Sequence, residues 1–193
     1  MRPPSRTLGV AFSDGDRVSR VAGAVVRRDL ALDGLRFASC TVGGTDATDA
    51  VRGLVAELAR EDVRHVCLAG IAPAWFNLLD LHRLHELFDR PVYSVSYEPS
   101  PGLEPALREA FDGDALAERL ATYRSLPPRR RVPGLPDDAE PLFVRAVGTD
   151  WEDVADAIVG LRRAGFRRPE PIRIAAIAAS AYRDALAVGS GRE

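Results

Sequence analysis

Lysine is absent from this sequence, and all 26 basic residues are arginine. A complete absence of this kind is typical of a GC-rich genome, although the planar guanidinium of arginine also suits phosphate oxygens. Acidic residues number 28, so the formal net charge is −2 at pH 7. This balance excludes a global electrostatic attraction to a polyanion, and any nucleic-acid contact therefore requires a local patch of arginines.

Cysteine is also scarce. Only Cys40 and Cys67 occur, each inside an apolar run that is typical of a β-strand. Two cysteines do not make a disulfide framework, and they do not supply the four ligands of a structural zinc site. We therefore expect both thiols to be buried and reduced.

Long hydrophobic runs are absent too. No stretch approaches the ~18 consecutive apolar residues of a membrane span. The segment from Met1 to Arg6 lacks the apolar core of a signal peptide. We therefore expect a cytoplasmic protein with no membrane partner. With 193 residues, 46% of them apolar and 28% charged, the chain is expected to form one globular domain over residues 1–193.

Apolar periodicity and turn-forming residues divide the first half of the chain into seven elements. The pattern predicts strands at 8–12, 18–26, 35–42, 63–68 and 91–97, and helices at 45–58 and 77–88 between the last three of these strands. Thr45 or Thr48 is available as the N-cap of the first helix.

The second half is less regular. We predict helices at 103–111, 115–123, 151–163 and 172–186, an edge strand at 142–147 and a frayed tail at 188–193. Residues 125–141 hold five prolines, three consecutive arginines and the pair Asp137-Asp138, which indicates a surface loop.

The order of the first seven elements, β-β-β-α-β-α-β, is that of a ribonuclease H-like α/β fold with a mixed sheet and additional C-terminal helices. Its strand order is 3-2-1-4-5, so strands one and four lie side by side and run parallel. Their carboxyl ends then share one crevice, which is the usual place for a ligand in such a sheet.

Three segments point to a known family. They are residues 41–48 (TVGGTDAT), residues 68–77 (LAGIAPAWFN) followed by Asp80, and residues 168–175 (RPEPIRIA). In this order they resemble the archaeal domain-of-unknown-function family 99, which is similar to endonuclease V and includes members called endonuclease dU. The resemblance covers nearly the whole chain and implies a metal-dependent DNA repair endonuclease with DNA as its partner.

The sequence departs from that family at the carboxylates expected to hold a divalent cation. The family's first strand ends in Gly-Ile-Asp-Asp and its fourth in Leu-Asp-Gly-Ile, whereas Ala11 and Ala69 occupy those positions here. A third family carboxylate falls on Gly43, and only Asp46 of that segment remains. Because a methyl group neither binds Mg²⁺ nor activates water, we expect no metal cofactor in this form of the site.

A relocated metal site is the alternative. Asp14, Asp16, Asp46 and Glu98 all follow the carboxyl ends of predicted strands. They are the residual catalytic candidates, and Mg²⁺ or Mn²⁺ is expected only if they act together. Three of them also have a structural explanation, since Asp14 and Asp16 are good turn residues and Asp46 suits the first turn of a helix.

Two further segments are candidates for nucleic-acid binding. Trp75 offers a stacking surface for an extruded base and Asn77 an amide to recognise its edge; alternatively, Phe76 packs in the core and Asn77 caps the following helix. Arg129-Arg130-Arg131 either bind phosphate or remain solvated.

Other chemistries find little support in the sequence. His82 and His85 are spaced to share a metal on one helix face, but no further ligand motif accompanies them. Neither a nucleophile elbow nor a phosphate-binding loop occurs.

Three functions therefore remain. The first is a nucleic-acid-binding or protein-binding module whose metal-dependent nuclease activity has been lost, as Ala11 and Ala69 indicate. The second is an active endonuclease with relocated ligands. The third is a structural or oligomerisation module, which is favoured if apolar side chains fill the crevice above strands one and four. The oligomeric state does not follow from the sequence.

Overall fold

A computed structural model describes residues 6–135 and 140–190, without the side chains of residues 189 and 190. Three of the predictions concern residues outside this range. They are the absence of a signal peptide at the N-terminus, the Asp137-Asp138 part of the surface loop and the last three residues of the tail. No helix in the described part of the chain is long and apolar enough to cross a membrane.

The chain forms seven strands and seven helical segments within the described residues. In chain order they are β1 (Arg6–Asp14), β2 (Val18–Arg27), β3 (Leu32–Thr41), α1 (Ala47–Leu58), β4 (Val63–Ala69), α2 (Pro73–Phe76), α3 (Leu81–Phe88), β5 (Val92–Ser96), α4 (Glu104–Ala110), α5 (Gly113–Ser125), β6 (Arg130–Arg131), β7 (Phe143–Val147), α6 (Trp151–Gly160) and α7 (Glu170–Ser190).

The strands form one sheet with the order β3-β2-β1-β4-β5-β7-β6. The ribonuclease H-like order of the first five strands is thus confirmed, with β1 and β4 adjacent and parallel. The sheet continues beyond β5, however. The strand predicted at 142–147 is present as β7. The prediction that it lies at the edge is wrong, because β7 lies between β5 and the short strand β6. Residues 130 and 131, which were expected in a surface loop, pair with β7.

The central strands are apolar on both faces because each face is covered by helices. On one face Leu8 and Leu68 pack against Leu54 of α1 and Leu84 of α3, and all four side chains are buried. The opposite face is covered by α6 and α7. A Cβ atom at Gly9 would lie 2.2 Å from the carbonyl carbon of Pro171, so α7 reaches β1 only because glycine occupies this position.

Helix boundaries differ from the sequence pattern at several places, among them the starts of α1 and α3 and the end of α7. Helix α1 has Asp46 as its N-cap residue, without a side-chain bond to the helix, rather than either threonine. Helix α3 begins at Leu81, because Asp80 caps it by accepting a bond from the Arg83 N–H (3.0 Å). Helix α7 runs to Ser190, four residues beyond the end predicted from the pattern.

Both cysteines are free and buried, as expected. Cys40 lies on β3 and Cys67 on β4, and β2 and β1 separate these strands. Burial raises the pKa of Cys40 to about 12 and also raises the pKa of Cys67.

Candidate functional site

The methyl groups of Ala11 and Ala69 lie at the crevice near the carboxyl ends of β1 and β4. Ala11 is only 1% exposed and packs in a small apolar cluster with Ala24, Val26 and Ala175 of α7. Ala69 packs against the same cluster from β4. On this face of the sheet, α7 covers the position where the family carboxylate of the first strand is expected.

The residual acidic candidates do not form a group of three that could hold a metal ion within the described residues. Asp14 ends β1 and accepts a hydrogen bond from the Ser19 hydroxyl (2.6 Å). Glu98 follows β5, is largely exposed and forms an ion pair with Arg167 (3.4 Å). Asp16 is exposed in the turn between β1 and β2. Within residues 6–135 and 140–190 no group of three or more His, Cys, Asp or Glu side chains is placed to hold a metal ion.

Asp46 has a structural role in the turn that joins β3 to α1. Its carboxylate accepts bonds from the Thr41 N–H (3.0 Å), the Thr41 hydroxyl (2.9 Å) and the Asn77 amide (2.7 Å). Burial acts to raise the pKa of Asp46, but these donors hold it below its ordinary value. The carboxylate is therefore ionised and already occupied by donors of the protein itself.

Asn77 is fully buried and its hydrogen bonds are made within the protein. Its amide nitrogen donates to the Thr41 carbonyl (2.8 Å) as well as to Asp46, and its oxygen accepts from the Ala47 N–H (2.9 Å). Since both amide hydrogens and the carbonyl oxygen are used, the prediction that Asn77 reads a base edge is wrong. The structural alternative is also wrong in its detail, because Asn77 satisfies the first N–H of α1 rather than capping the following helix.

Trp75 remains available as a stacking surface. Its side chain is 53% exposed, and its ring lies 5.1 Å from that of Phe111. Segment α2 is a left-handed turn, with φ of 49° at Ala74, 51° at Trp75 and 61° at Phe76. Three consecutive non-glycine residues in this region are costly, and strain of this kind is concentrated at functional sites.

Arg119 of α5 holds this strained turn, a role that the sequence gave no sign of. Its guanidinium, which is almost fully buried, donates to the carbonyl oxygens of Phe76 (3.2 Å), Gly43 (2.7 Å) and Gly44 (3.1 Å). It also lies over the Phe111 ring, 3.9 Å from the centroid. Arg119 thus links α2 to the turn after β3, where Gly43 leaves room for the Trp75 ring.

The three consecutive arginines separate to opposite faces of the sheet. Arg130 lies over the Trp151 ring of α6 (5.5 Å), whereas Arg129 lies over the Phe143 ring (4.3 Å). Arg129 and Arg131 line one cavity together with Arg145 of β7. The separation follows from the alternation of side chains along an extended chain.

This cavity has a volume of about 400 Å³ and lies at the carboxyl ends of β4 and β5. Gly70 and Ile71, which follow β4, form part of its wall. Trp75 is only four residues further along, so its Cα lies within roughly 14 Å of that of Ile71. The exposed aromatic ring and the arginine cavity therefore belong to the same edge of the sheet.

Two histidines considered as metal ligands are bonded to backbone carbonyls instead. His82 Nε2 lies 3.0 Å from the Ser125 carbonyl oxygen, and His85 Nδ1 lies 2.8 Å from that of Arg90. The two imidazoles therefore contact different segments of the chain.

Comparisons with known proteins agree with this architecture. The family described as Endonuclease dU matches residues 4–183. A UPF0215 protein of Thermococcus kodakarensis is 35% identical over 190 residues, covering 94% of this chain and 93% of that protein. A UPF0215 protein of Pyrobaculum calidifontis is 31% identical over 180 residues, covering 93% and 96% of the two chains.

Solved structures are similar in fold. A protein of unknown function from Archaeoglobus fulgidus superimposes with a TM-score of 0.80 at 23% identity, covering 92% of this chain and 97% of that chain. Endonuclease V of Ciona intestinalis, in complex with DNA containing an inosine, gives a TM-score of 0.63 at 13% identity, covering 94% and 86%. With the sheet order and the family match together, the chain belongs to the endonuclease dU family and has a ribonuclease H-like fold.

Proposed function

We propose that this protein binds nucleic acid and has lost the metal-dependent cleavage implied by its family. The observation that carries this proposal is the pair Ala11 and Ala69, the first near the carboxyl end of β1 and the second at the end of β4. Ala11 is buried beneath α7 in an apolar cluster. This packing leaves little space for a hydrated cation at the position where the family has a carboxylate.

The residues at this crevice do not fit a catalytic metal. Mg²⁺ and Mn²⁺ require several oxygen ligands at about 2.0–2.2 Å in near-octahedral order, and a carboxylate from each central strand is the usual source. The candidate carboxylates Asp14 and Asp46 already accept hydrogen bonds within the protein, Asp14 from Ser19 and Asp46 from Thr41 and Asn77.

The binding half of the proposal is supported by the edge of the sheet that carries Trp75, Arg129 and Arg131. An exposed aromatic ring stacks on unpaired bases with little sequence preference, and guanidinium groups contact the phosphate backbone. Because an endonuclease V with the same fold is seen with inosine-containing DNA, DNA containing deoxyinosine or deoxyuridine is the first partner to test.

Fluorescence anisotropy with labelled single-stranded DNA tests the proposal. We expect binding that is equally strong in EDTA and in Mg²⁺ and that weakens as salt is raised. Replacing Trp75 with alanine should weaken binding by about five- to a hundredfold, the range expected for loss of one stacked base. The matched control is Trp151→Phe, since Trp151 is the other tryptophan and lies on the opposite face. Binding that requires Mg²⁺ would contradict the proposal.

One observation favours a second function. The apolar cluster of Ala11, Ala24 and Ala175 beneath α7 fills the crevice on that face, as expected of a structural or oligomerisation module. Absence of DNA binding even at low salt, together with a defined oligomer in analytical ultracentrifugation, would favour this function over the first.

A further inference from the structure

The cavity at the carboxyl ends of β4 and β5 has an unusual charge balance. Three arginines contribute to its wall and no carboxylate does. The lining residues are Gly70, Ile71, Ser94, Ser96, Ser100, Pro101, Gly102, Leu103, Tyr123, Arg129, Arg131, Phe143 and Arg145. Three like charges around one solvent-filled space repel one another, and an anion in that space would offset the repulsion.

Strand register places these side chains together. Ser94 of β5 is opposite Arg145 of β7, and Ser96 is opposite Phe143. Arg131 of β6 is in turn opposite Phe143. Because side chains alternate along a strand, residues two apart share a face, and the hydroxyls of β5 and the guanidinium groups of β6 and β7 converge on one side of the sheet.

The guanidinium groups retain free donors. Arg129 uses one N–H on the Glu98 carbonyl (3.0 Å), and Arg145 uses one on the Pro127 carbonyl. Neither forms an ion pair with a carboxylate in the described part of the chain, and the side chain of Arg131 has neither a hydrogen bond nor an ion pair there. Since each guanidinium carries five N–H donors, most remain available for a ligand.

Two of the arginines are also held in place. The Arg129 guanidinium lies 4.3 Å from the centroid of the Phe143 ring, and that of Arg145 lies 5.5 Å from that of Tyr123. The Tyr123 hydroxyl accepts a bond from the Leu103 N–H (3.0 Å), which fixes the opposite wall. Burial, reinforced by the charge of Arg129, lowers the pKa of Arg145. A bound anion would favour its charged form.

A phosphate monoester suits this cavity better than a backbone diester. A monoester carries about 1.5 to 2 negative charges at pH 7, whereas a diester carries one. A monoester also ends the chain, so it can enter a cavity that a continuous backbone can only pass over. The volume of about 400 Å³ lies within the range of about 300–1,000 Å³ that is typical of small-ligand sites.

We propose that the cavity formed by Arg129, Arg131, Arg145 and the serines of β5 binds the phosphate monoester of a nucleotide. Two sources share this chemistry, the phosphorylated end of a nucleic-acid strand and a free nucleoside monophosphate. The strand end is the source that rests on the proposed function, because Trp75 on the same edge is then free to stack a neighbouring base.

The test compares one oligonucleotide in three forms, with a 5′-phosphate, with a 3′-phosphate and without a terminal phosphate, by fluorescence anisotropy at fixed salt. Titration with uridine monophosphate and with uridine, followed by calorimetry, is the arm for the free nucleotide. We expect a terminal phosphate, on the oligonucleotide or on the nucleoside, to tighten binding by about tenfold or more.

Arg131→Ala should abolish this preference, and Arg131→Lys should restore it only in part because lysine lacks the planar fork. Arg130→Ala is the matched control. It removes the same charge one residue away, on the opposite face, and should leave the preference unchanged. Arg131 is exposed, so both of its variants are expected to fold.

The outcomes separate this inference from the proposed function. Oligonucleotide binding that is indifferent to a terminal phosphate overturns the inference and leaves the proposed function in place. Binding of uridine monophosphate over uridine, with no oligonucleotide binding, supports the cavity and removes the proposed function. A phosphate preference that survives in Arg131→Ala, or that is lost equally in Arg130→Ala, overturns the assignment of the site.

Discussion

The amide nitrogen of Asn77 lies 2.7 Å from Oδ1 of Asp46, and the pair joins the loop after β4 to the turn between β3 and α1. Asn77→Ala would leave the Ala47 N–H and the Thr41 carbonyl without this partner. We expect the free energy of unfolding to fall by about 1–3 kcal/mol, the cost of unsatisfied buried polar groups.

Chemical denaturation of Asn77→Ala measures that loss, with the exposed Glu86→Ala on α3 as its control. A variant as stable as the wild type but altered in its preference among DNA bases would restore Asn77 as a reader of bases.

Asp46 should make stability depend on pH in the acid range. Its folded-state pKa is below the ordinary value of 3.8, so the ionised form is favoured by folding. The stabilisation is fully present above the unfolded-state pKa and is lost as pH falls through the folded-state pKa. The difference in unfolding free energy between wild type and Asp46→Asn should therefore be constant near neutral pH and shrink below about pH 4. A difference that grows on acidification would contradict this role.

Cys40 and Cys67 should behave as two inert, unpaired thiols. Strands β3 and β4 are separated by two strands, which gives roughly 14 Å at the usual strand spacing and is too far for a disulfide. Alkylation in denaturant without reductant should modify both cysteines, while the native protein should react slowly because burial raises both pKa values. Recovery of an intramolecular disulfide would contradict the strand order.

Arg119 should govern the position of the Trp75 ring. Its guanidinium donates to the Phe76 carbonyl of α2 and to the Gly43 and Gly44 carbonyls of the turn after β3. Loss of the guanidinium would remove this link between α2 and the turn. In a Trp151→Phe background, where Trp75 is the remaining tryptophan, we expect Arg119→Ala to change the emission maximum and to increase quenching by acrylamide. Arg124→Ala, also on α5 but paired with Glu104, is the control. Unchanged emission in Arg119→Ala would show that α2 keeps its conformation without Arg119 and would contradict this role.

The sequence was sufficient for the parts of the fold that depend on local pattern. Alternation and turn residues identify the first five strands, and their order in the sheet was predicted from the ribonuclease H-like fold that the order of elements indicates. The same pattern identified β7 as a strand but missed β6, because a two-residue strand within a proline-rich segment has no periodicity to detect. Without β6, β7 was predicted at the edge of the sheet.

The site was harder to predict because its contacts are between distant residues. Ala11 and Ala69 were identified by comparison with a family motif. Arg119, in contrast, reaches Gly43 across 76 positions, and nothing local distinguishes it from Arg124, the other arginine of α5. Arg145 lines the cavity only because β7 pairs with β5, a pairing that the sequence did not indicate. Asn77 was assigned to the wrong helix because its partner, Ala47, precedes it by 30 residues.

We infer that the alanines near the carboxyl ends of β1 and β4 have removed metal-dependent cleavage. Loss of a metal-generated nucleophile and its charge stabilisation raises the barrier by several kcal/mol, and each 1.4 kcal/mol is about tenfold in rate. The direct test is a single-turnover assay with protein in excess over DNA containing deoxyuridine or deoxyinosine, with Mg²⁺, Mn²⁺ or EDTA, on the wild type and on Asp14→Ala and Asp46→Ala. We predict no cleavage above the EDTA background in any of these proteins; metal-dependent cleavage by the wild type that disappears in Asp14→Ala or Asp46→Ala would contradict the claim and establish a relocated active site.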